Sequence, residues 1–247
     1  MSVSDRYLHA WEGFWEATSD EPGDAIWDSD PSGTAEPHLE LFAPHADPAL
    51  PVVDLGCGNG TRTRHLATHF RRAIGVDLSR AAVERARRAD RTASAEFERL
   101  NLVDTPAVRA LHERLGDCNV YMRAVIHQSD PSDRARVAAA VAELTGTRGR
   151  AFVVELVTAA REVLRRATEA PGGPPAKLRR VYDHDLRPAI AEDGEVARLL
   201  IAAGLETVAG GHTDLIMTEP GPDGTPIALP AQWFVLRRAD GPVRGLG

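Results

Sequence analysis

From residue 51 to residue 157 the chain alternates short apolar runs with stretches of helical periodicity. PVVDL, RAIGVD, AEFERLNL, NVYMRAVIH and RAFVVELV read as five strands, with helices predicted between them over 61–70, 79–89, 106–115 and 130–145. Strands joined through helices lie parallel, cross over right-handed and leave a sheet covered on both faces. A helix over 192–203 then leads to two strand-like runs, GLETVAGGHTDLIM and AQWFVLRR, separated by the loop EPGPDGTPIALP. If these two pair antiparallel, the fold is α/β: a Rossmann-like, seven-stranded, mostly parallel sheet with helices on both faces. Between the fifth strand and that helix stand a probable helix, AAREVLRRATEA, the interruption PGGPP and the polar stretch KLRRVYDHDLRP, so 158–190 is expected to be a lid insert.

Tyr7, Trp11, Phe14, Trp15, Trp27 and Phe42 are six of thirteen aromatics, all within the first 42 residues. Trp11 and Trp15 are four apart and Phe14 is three from Trp11, which places them on one helix face. The turn-rich GDAIWDSDPSGTAEP follows, then a second short helix around 38–45. The expected organisation is an N-terminal helical cap over 1–48 and one domain over 49–247. The aromatic face serves either as core or as a cover over a site. Among the basic residues Lys177 is the only lysine, as a GC-rich, bacterial coding style would give. Arg71, Arg72, Arg80, Arg85, Arg87, Arg88 and Arg91, interleaved with Glu84 and Asp90, read as a solvated helix face.

Composition excludes several classes. A net charge of −7 disfavours nucleic acid as a partner. No apolar run reaches the ~20 residues that span a bilayer, and the polar start MSVSDRYLHAWEG lacks a signal-peptide core, so no membrane contact and a cytoplasmic location are expected. Cys57 and Cys118 make neither a disulfide framework nor a metal cluster, and the nine histidines lack spacing of the H-E-x-x-H kind, so no metal is expected. Nothing in the sequence chooses between monomer and homodimer.

The most informative residues are Val52-Val53-Asp54-Leu55-Gly56-Cys57-Gly58-Asn59-Gly60, at the exit of the first strand. Glycines there let the backbone turn sharply and let a ligand approach where a Cβ would collide, and the next helix presents free N–H groups. A dinucleotide site wants G-x-G-x-x-G, but Thr61 holds the place of its third glycine. Asp54, just before the loop, would repel a pyrophosphate and suits a cationic ligand. Asp77 ends the second strand about twenty residues beyond Gly56, where a carboxylate accepts both hydroxyls of a ribose.

VVDLGCGNG resembles the first motif, [VIL]-x-D-x-G-x-G-x-G, of the class I S-adenosylmethionine-dependent methyltransferase family, at every position. The likeness runs in motif detail from about 51 to 157 and in topology to 238. It implies S-adenosylmethionine as methyl donor, with cofactor contacts at Trp15, Asp54, Gly56, Gly58, Asn59, Gly60, Asp77, Leu78, Asn101, Leu102 and Arg123. Asn101 stands where many members carry an aspartate on the adenine amine, with Leu102 packing on the ring; an aromatic cap residue such as Trp15 would face the sulfonium. The N/D-P-P-Y/F segment of members acting on DNA or protein glutamine is absent. Instead Arg123 to Asp130 (RAVIHQSD) resembles the R-x-V-L-H-x-x-x-D segment of small-molecule O-methyltransferases, which implies His127 as general base, while Gln128 replaces the usual tryptophan.

His127 therefore reads as base or as pocket lining, and His184, flanked by Asp183 and Asp185 in the insert, is the rival catalytic candidate. Glu155 lies at the carboxyl edge of the fifth strand, where ligands bind in such sheets, and His212 and Asp214 face cleft or solvent. The expected function is methyl transfer to oxygen or nitrogen of a small-molecule acceptor, of the kind made in specialised metabolism. Two alternatives stay open: a cyclase or lyase that consumes S-adenosylmethionine without methylating, and a catalytically silent cofactor-binding module.

Overall fold

The computed structural model describes residues 3–30, 33, 35–221 and 224–239. Seven strands form one sheet: β1 (Val52–Leu55), β2 (Ala73–Asp77), β3 (Glu96–Arg99), β4 (Asn119–Arg123), β5 (Ala151–Leu156), β6 (Leu205–Pro220) and β7 (Pro226–Arg238). Their order is β3-β2-β1-β4-β5-β7-β6. The first five are parallel, and β7 inserts antiparallel between β5 and β6. β1, β4 and β5 are buried along their whole length, as continuous apolar runs require. The strand order reverses between β1 and β4, which opens a crevice at their carboxyl ends.

Helices cover both faces. Val53, Ile74, Val120, Met122 and Val153 pack with Val108, Val141 and Leu200 from α5 (Thr105–Leu115), α6 (Arg134–Thr145) and α9 (Glu195–Ala202). On the other face Val52, Tyr121, Phe152 and Val154 pack with Phe14 and Trp15 of α1 (Val3–Ala17) and Leu39 and Phe42 of α2 (Ala35–Phe42). Leu164 of α7 (Ala160–Glu169) and Leu178 and Val181 of α8 (Ala176–Asp183) join the same core. On α1 the aromatic side chains pack into this core: Phe14 and Trp15 are 1% and 2% exposed.

α1 is docked on α4 (Arg80–Ala89) by polar contacts that the sequence reading did not anticipate. Glu12 accepts from Ser79 Oγ at 2.7 Å and from the Ala81 N–H at 3.2 Å. Arg85 belongs to no solvated face: it is buried and donates to the carbonyls of Trp15 (2.8 Å) and Thr18 and to Asp20 (2.5 Å). Arg87 likewise donates to the Phe97 carbonyl. Ser79, extended at φ −80°, caps α4 by accepting from the Ala82 N–H.

Several element boundaries differ from expectation: the helix expected over 61–70 ends at Leu66, and the one expected around 38–45 is Ala35–Phe42. β4 stops at Arg123; Ala124 takes φ +59° and Ile126–Gln128 form a 3-10 turn, because the Glu155 carboxylate captures that turn's N–H groups. α6 starts at Arg134 rather than near 130. The polar stretch KLRRVYDHDLRP contains α8, whose Leu178 and Val181, three apart, are buried. β7 begins at Pro226, inside the expected loop, because Ile227 and Leu229 alternate inward. The resulting hairpin reaches past the sheet, and Thr218 donates its N–H to Ile26 O at 2.7 Å.

Among the described residues no helix is long and apolar enough to cross a membrane, and no group of three or more His, Cys, Asp or Glu could hold a metal ion.

Candidate active site

A cavity of about 190 Å³ opens at the carboxyl edge of the sheet, over the crevice between β1 and β4. Gly56 (φ +73°) and Gly58 (φ +56°) line it with bare backbone. A Cβ on Gly56 would sit 2.7 Å from Val125 Cγ2, and one on Gly58 2.7 Å from Trp15 Cζ2. The indole of Trp15 thus rests on the glycine loop and lines the same cavity, with Trp11 and Trp27 beside it; Trp27 stacks on Phe14 at 4.9 Å.

Asp77 ties the loop to the end of β2, accepting the Gly58 N–H through Oδ2 and the Ser79 N–H through Oδ1, both at 2.9 Å. Burial pushes its carboxyl up to about 6, against the lowering effect of those two bonds. Leu78, Leu100, Leu102 and Val103 give an apolar lining next to it, and Asn101 lies among them with its Oδ1 on the Val103 N–H at 3.2 Å.

Three residues expected at the ligand stand behind the loop instead. Asp54 is buried under it, does not line the cavity, and accepts from Thr63 Oγ1 at 2.6 Å; burial raises its pKa. Asn59 is turned away from the cavity to donate to Asp28. Gly60 is a packing glycine, since a Cβ there would strike Phe97 Cε1 at 2.5 Å. The loop is shaped by what lies beneath it as much as by what it would hold.

On the β4 side, His127 lines the cavity and is 5% exposed. Glu155 does not line it; it stands behind the histidine, 2.9 Å from Nδ1. The same carboxylate accepts the N–H groups of Val125 (2.7 Å), Ile126 (2.6 Å) and His127 (3.3 Å). A carboxylate only accepts, so Nδ1 carries the proton and Nε2 keeps its lone pair, to which Gln128 Nε2 points at 3.3 Å. The structure brings His127 to the cavity and leaves His184 out: His184 bonds the Arg180 carbonyl at 2.9 Å and packs edge-on against Phe14. His212 and Asp214 are exposed on β6.

Arg123 lines the cavity at 6% exposure, and its Nε and Nη2 atoms are buried without a partner. Burial, and Arg62 beside it, lower it to about 10. Arg62 is a cavity residue that sequence reasoning missed. It lies on α3 (Thr61–Leu66), buried, 4.0 Å from Asp28 and 3.5 Å from the Trp27 carbonyl. The rest of the wall was also unforeseen: Leu156, Leu164, Leu178, Val181, Leu215 and Leu229 make one side of the cavity apolar. Their only sequence signal was the helical spacing of Leu178 and Val181.

A five-strand parallel run with an antiparallel β7 between β5 and β6, a glycine-rich loop after β1 and an acid at the end of β2 define the class I methyltransferase fold. Residues 52–149 match the family model described as a methyltransferase domain. No curated protein matches the sequence. Among solved structures, a SAM-dependent methyltransferase from Anabaena variabilis is 26% identical, with 96% of each chain covered and a TM-score of 0.86. Magnesium protoporphyrin IX methyltransferase from Synechocystis, with bound S-adenosylhomocysteine, is 15% identical, covers 96% of this chain and 98% of its own, and has a TM-score of 0.61. The cyclase SpnF is 13% identical, covers 97% and 96%, and has a TM-score of 0.58. Residues 52–149 thus carry a methyltransferase domain, and the described chain has the fold of S-adenosylmethionine-dependent methyltransferases. The site fits S-adenosylmethionine: bare glycine backbone, a half-buried acid at the end of β2 for a ribose, an apolar slot for a base and an aromatic wall for a sulfonium.

Proposed function

We propose that the protein transfers a methyl group from S-adenosylmethionine to oxygen or nitrogen of a small organic acceptor, with His127 as general base. The observation that carries this reading is the pairing of His127 Nδ1 with Glu155 at 2.9 Å, which leaves Nε2 as an acceptor on a cavity that also holds the glycine loop. Gly56, Gly58, Asp77, Leu78, Asn101 and Leu102 would hold the cofactor, and Trp15 would close over it; residues 1–48 serve as a cap and 158–190 as a lid. When bound, S-adenosylmethionine supplies a methyl carbon activated by a sulfonium, which an acceptor lone pair displaces as the C–S bond breaks to leave a neutral thioether.

His127 takes the acceptor's proton at Nε2, and the Glu155 charge stabilises the imidazolium that forms. Gln128 yields its contact with Nε2 to the acceptor. The wall of Trp11, Trp15 and Trp27 keeps water from the site, so alignment supplies most of the rate and the base adds about 10²–10⁴-fold. The similarity to the Anabaena variabilis methyltransferase supports methyl transfer over the cyclase and silent-module readings. His127→Ala is expected to cut turnover at least about a hundredfold with unchanged affinity for S-adenosylhomocysteine. A near-normal rate would remove the base from the mechanism.

A further inference from the structure

Arg123 is a buried cation for which the fold supplies no hydrogen bond and no ion pair among the described residues. The carboxylates near it and near Arg62 are committed elsewhere. Glu155 is taken by His127 and three backbone N–H groups. Asp54 is taken by Thr63, and Asp28 by Asn59 and Thr61, with only a 4.0 Å approach to Arg62. The two unpartnered atoms of Arg123, Nε and Nη2, form one edge of the guanidinium, the fork that meets both oxygens of a carboxylate. Asp28 Oδ1 is itself unbonded. Of the carboxylates that line the cavity, Asp77 is taken by the Gly58 and Ser79 N–H groups, Asp130 by Ser132 and Asp133 by Arg136, so none of them is bonded to either arginine.

The direction of Arg123 says whose carboxylate this is. Arg123 pairs with Val154 in the β4–β5 register and so points to the same sheet face as Val154 and Leu156. That face is covered by α7 and α8, whose Leu164, Leu178 and Val181 line the cavity together with Leu215 and Leu229 of the β6–β7 hairpin. The stations for ribose and base, Asp77 and Asn101, follow β2 and β3, on the far side of β1.

We infer that Arg123, seconded by Arg62, is the specificity element for an acceptor that carries a carboxylate on an apolar body. This rests on the methyltransferase reading, in that the acceptor is taken to share the cavity with the cofactor. Bidentate capture at Arg123 would fix one end of the acceptor, and the leucine-lined wall would take its hydrocarbon.

The test is calorimetric, on the full chain saturated with S-adenosylhomocysteine, using octanoate and its neutral counterpart octanamide as probes. Octanoate is expected to bind at least tenfold more tightly than octanamide. Arg123→Met should erase that preference while leaving octanamide affinity unchanged, Arg123→Lys should restore part of it, and Arg62→Met should weaken it. The Arg123→Met protein should melt no lower than the parent, because it loses an unpaired buried charge. Equal affinities for the two probes, or no binding of either at millimolar concentration, would overturn the inference.

It would also fall if Arg123→Met weakened S-adenosylhomocysteine tenfold but spared methylthioadenosine, which lacks the carboxylate, while octanoate kept its advantage. Arg123 would then serve the methionine end of the cofactor. Failure of the parent to bind S-adenosylhomocysteine at all would refute the methyltransferase reading, and the octanoate–octanamide comparison on the ligand-free chain would still decide the role of the arginines.

Discussion

Replacing Glu155 by glutamine probes the site at its most heavily used group. Four donors converge on this carboxylate: the N–H groups of Val125 and Ile126 on Oε1, and the N–H and Nδ1–H of His127 on Oε2. Glutamine has the same volume but one oxygen, so its NH2 must face two of the four donors. Each hydrogen bond to a charged group contributes about 1.5–3 kcal/mol, so losing two costs about 3–6 kcal/mol of stability. The turn that suffers holds Ala124 at φ +59°, a conformation that needs support from its surroundings. Unpinned at Nδ1, His127 no longer presents Nε2 to the cavity, and kcat is expected to fall by about a hundredfold or more. Affinity for S-adenosylhomocysteine should not change, because the glycine loop and Asp77 lie on β1 and β2.

The assay is S-adenosylhomocysteine release at saturating cofactor, with a denaturant titration in parallel. Because Glu155 acts through His127, the double variant His127→Ala/Glu155→Gln should turn over no more slowly than His127→Ala alone. Multiplying losses, or a Glu155→Gln protein that is less stable yet turns over within threefold of the parent, would show that Glu155 only holds the turn together.

Three further outcomes are expected. Gly58→Ala places a methyl 2.7 Å from Trp15 Cζ2 at a φ of +56°, so it should cost about 1–2 kcal/mol in backbone strain alone and abolish S-adenosylhomocysteine binding by calorimetry. The Asp77 carboxyl, raised to about 6 from an unfolded value of about 4, holds its proton in the folded state through that window. Its contribution to stability is therefore largest in acid and lost as pH rises through 6, whereas the ionised form that ribose hydroxyls need is lost as pH falls. Methylthioadenosine affinity should drop below pH 6 in the parent and stay flat in Asp77→Asn. Arg85→Met strands the carbonyls of Trp15 and Thr18 and should lower stability by about 2–4 kcal/mol in a urea titration; a loss under about 1 kcal/mol would mean α1 is held by its aromatics alone.

The cofactor half of the site was legible because its logic is local. A strand ending in glycines and a second strand ending in an acid are separated by one helix, and period and spacing alone place both at one edge. The setting of Asp54 was not legible for a physical reason: its position before the loop was visible, but Thr63, which bonds one of its oxygens, is seen only once α3 has folded back over β1. Arg62 escaped for a similar reason. An arginine in the first turn of a helix ordinarily extends into water, and only the approach of Trp27 and Asp28, more than thirty residues upstream, buries it. In the insert, Leu178 and Val181 sit among six charged residues of KLRRVYDHDLRP, and they are buried in a core built from segments distant in sequence, not by the pattern of their own segment.

The acceptor side is accordingly a product of long-range docking, held at one place. Lys177 Nζ of α8 donates to Gly23 O at 2.7 Å and to Thr218 Oγ1 at 3.3 Å, while Thr218 also binds the Gly23 carbonyl at 2.9 Å. Arg180 forks onto Asp24 at 2.7 and 2.9 Å and drives that carboxyl far below the usual carboxylate range. Three segments distant in sequence, around residues 23, 177 and 218, are therefore joined by polar contacts, beside the core that Leu178, Val181 and Leu215 share with Phe14 and Trp15. The Ala176 and Lys177 N–H groups on Glu219, and the Thr218 N–H on Ile26 O, join the same place, so an acceptor that enters through the α8 and hairpin side meets contacts that lie apart from the glycine loop. Substitution at Lys177 or Arg180 should accordingly change the KM for the acceptor while the dissociation constant of S-adenosylhomocysteine holds, which separates the chamber from the cofactor site in a single comparison.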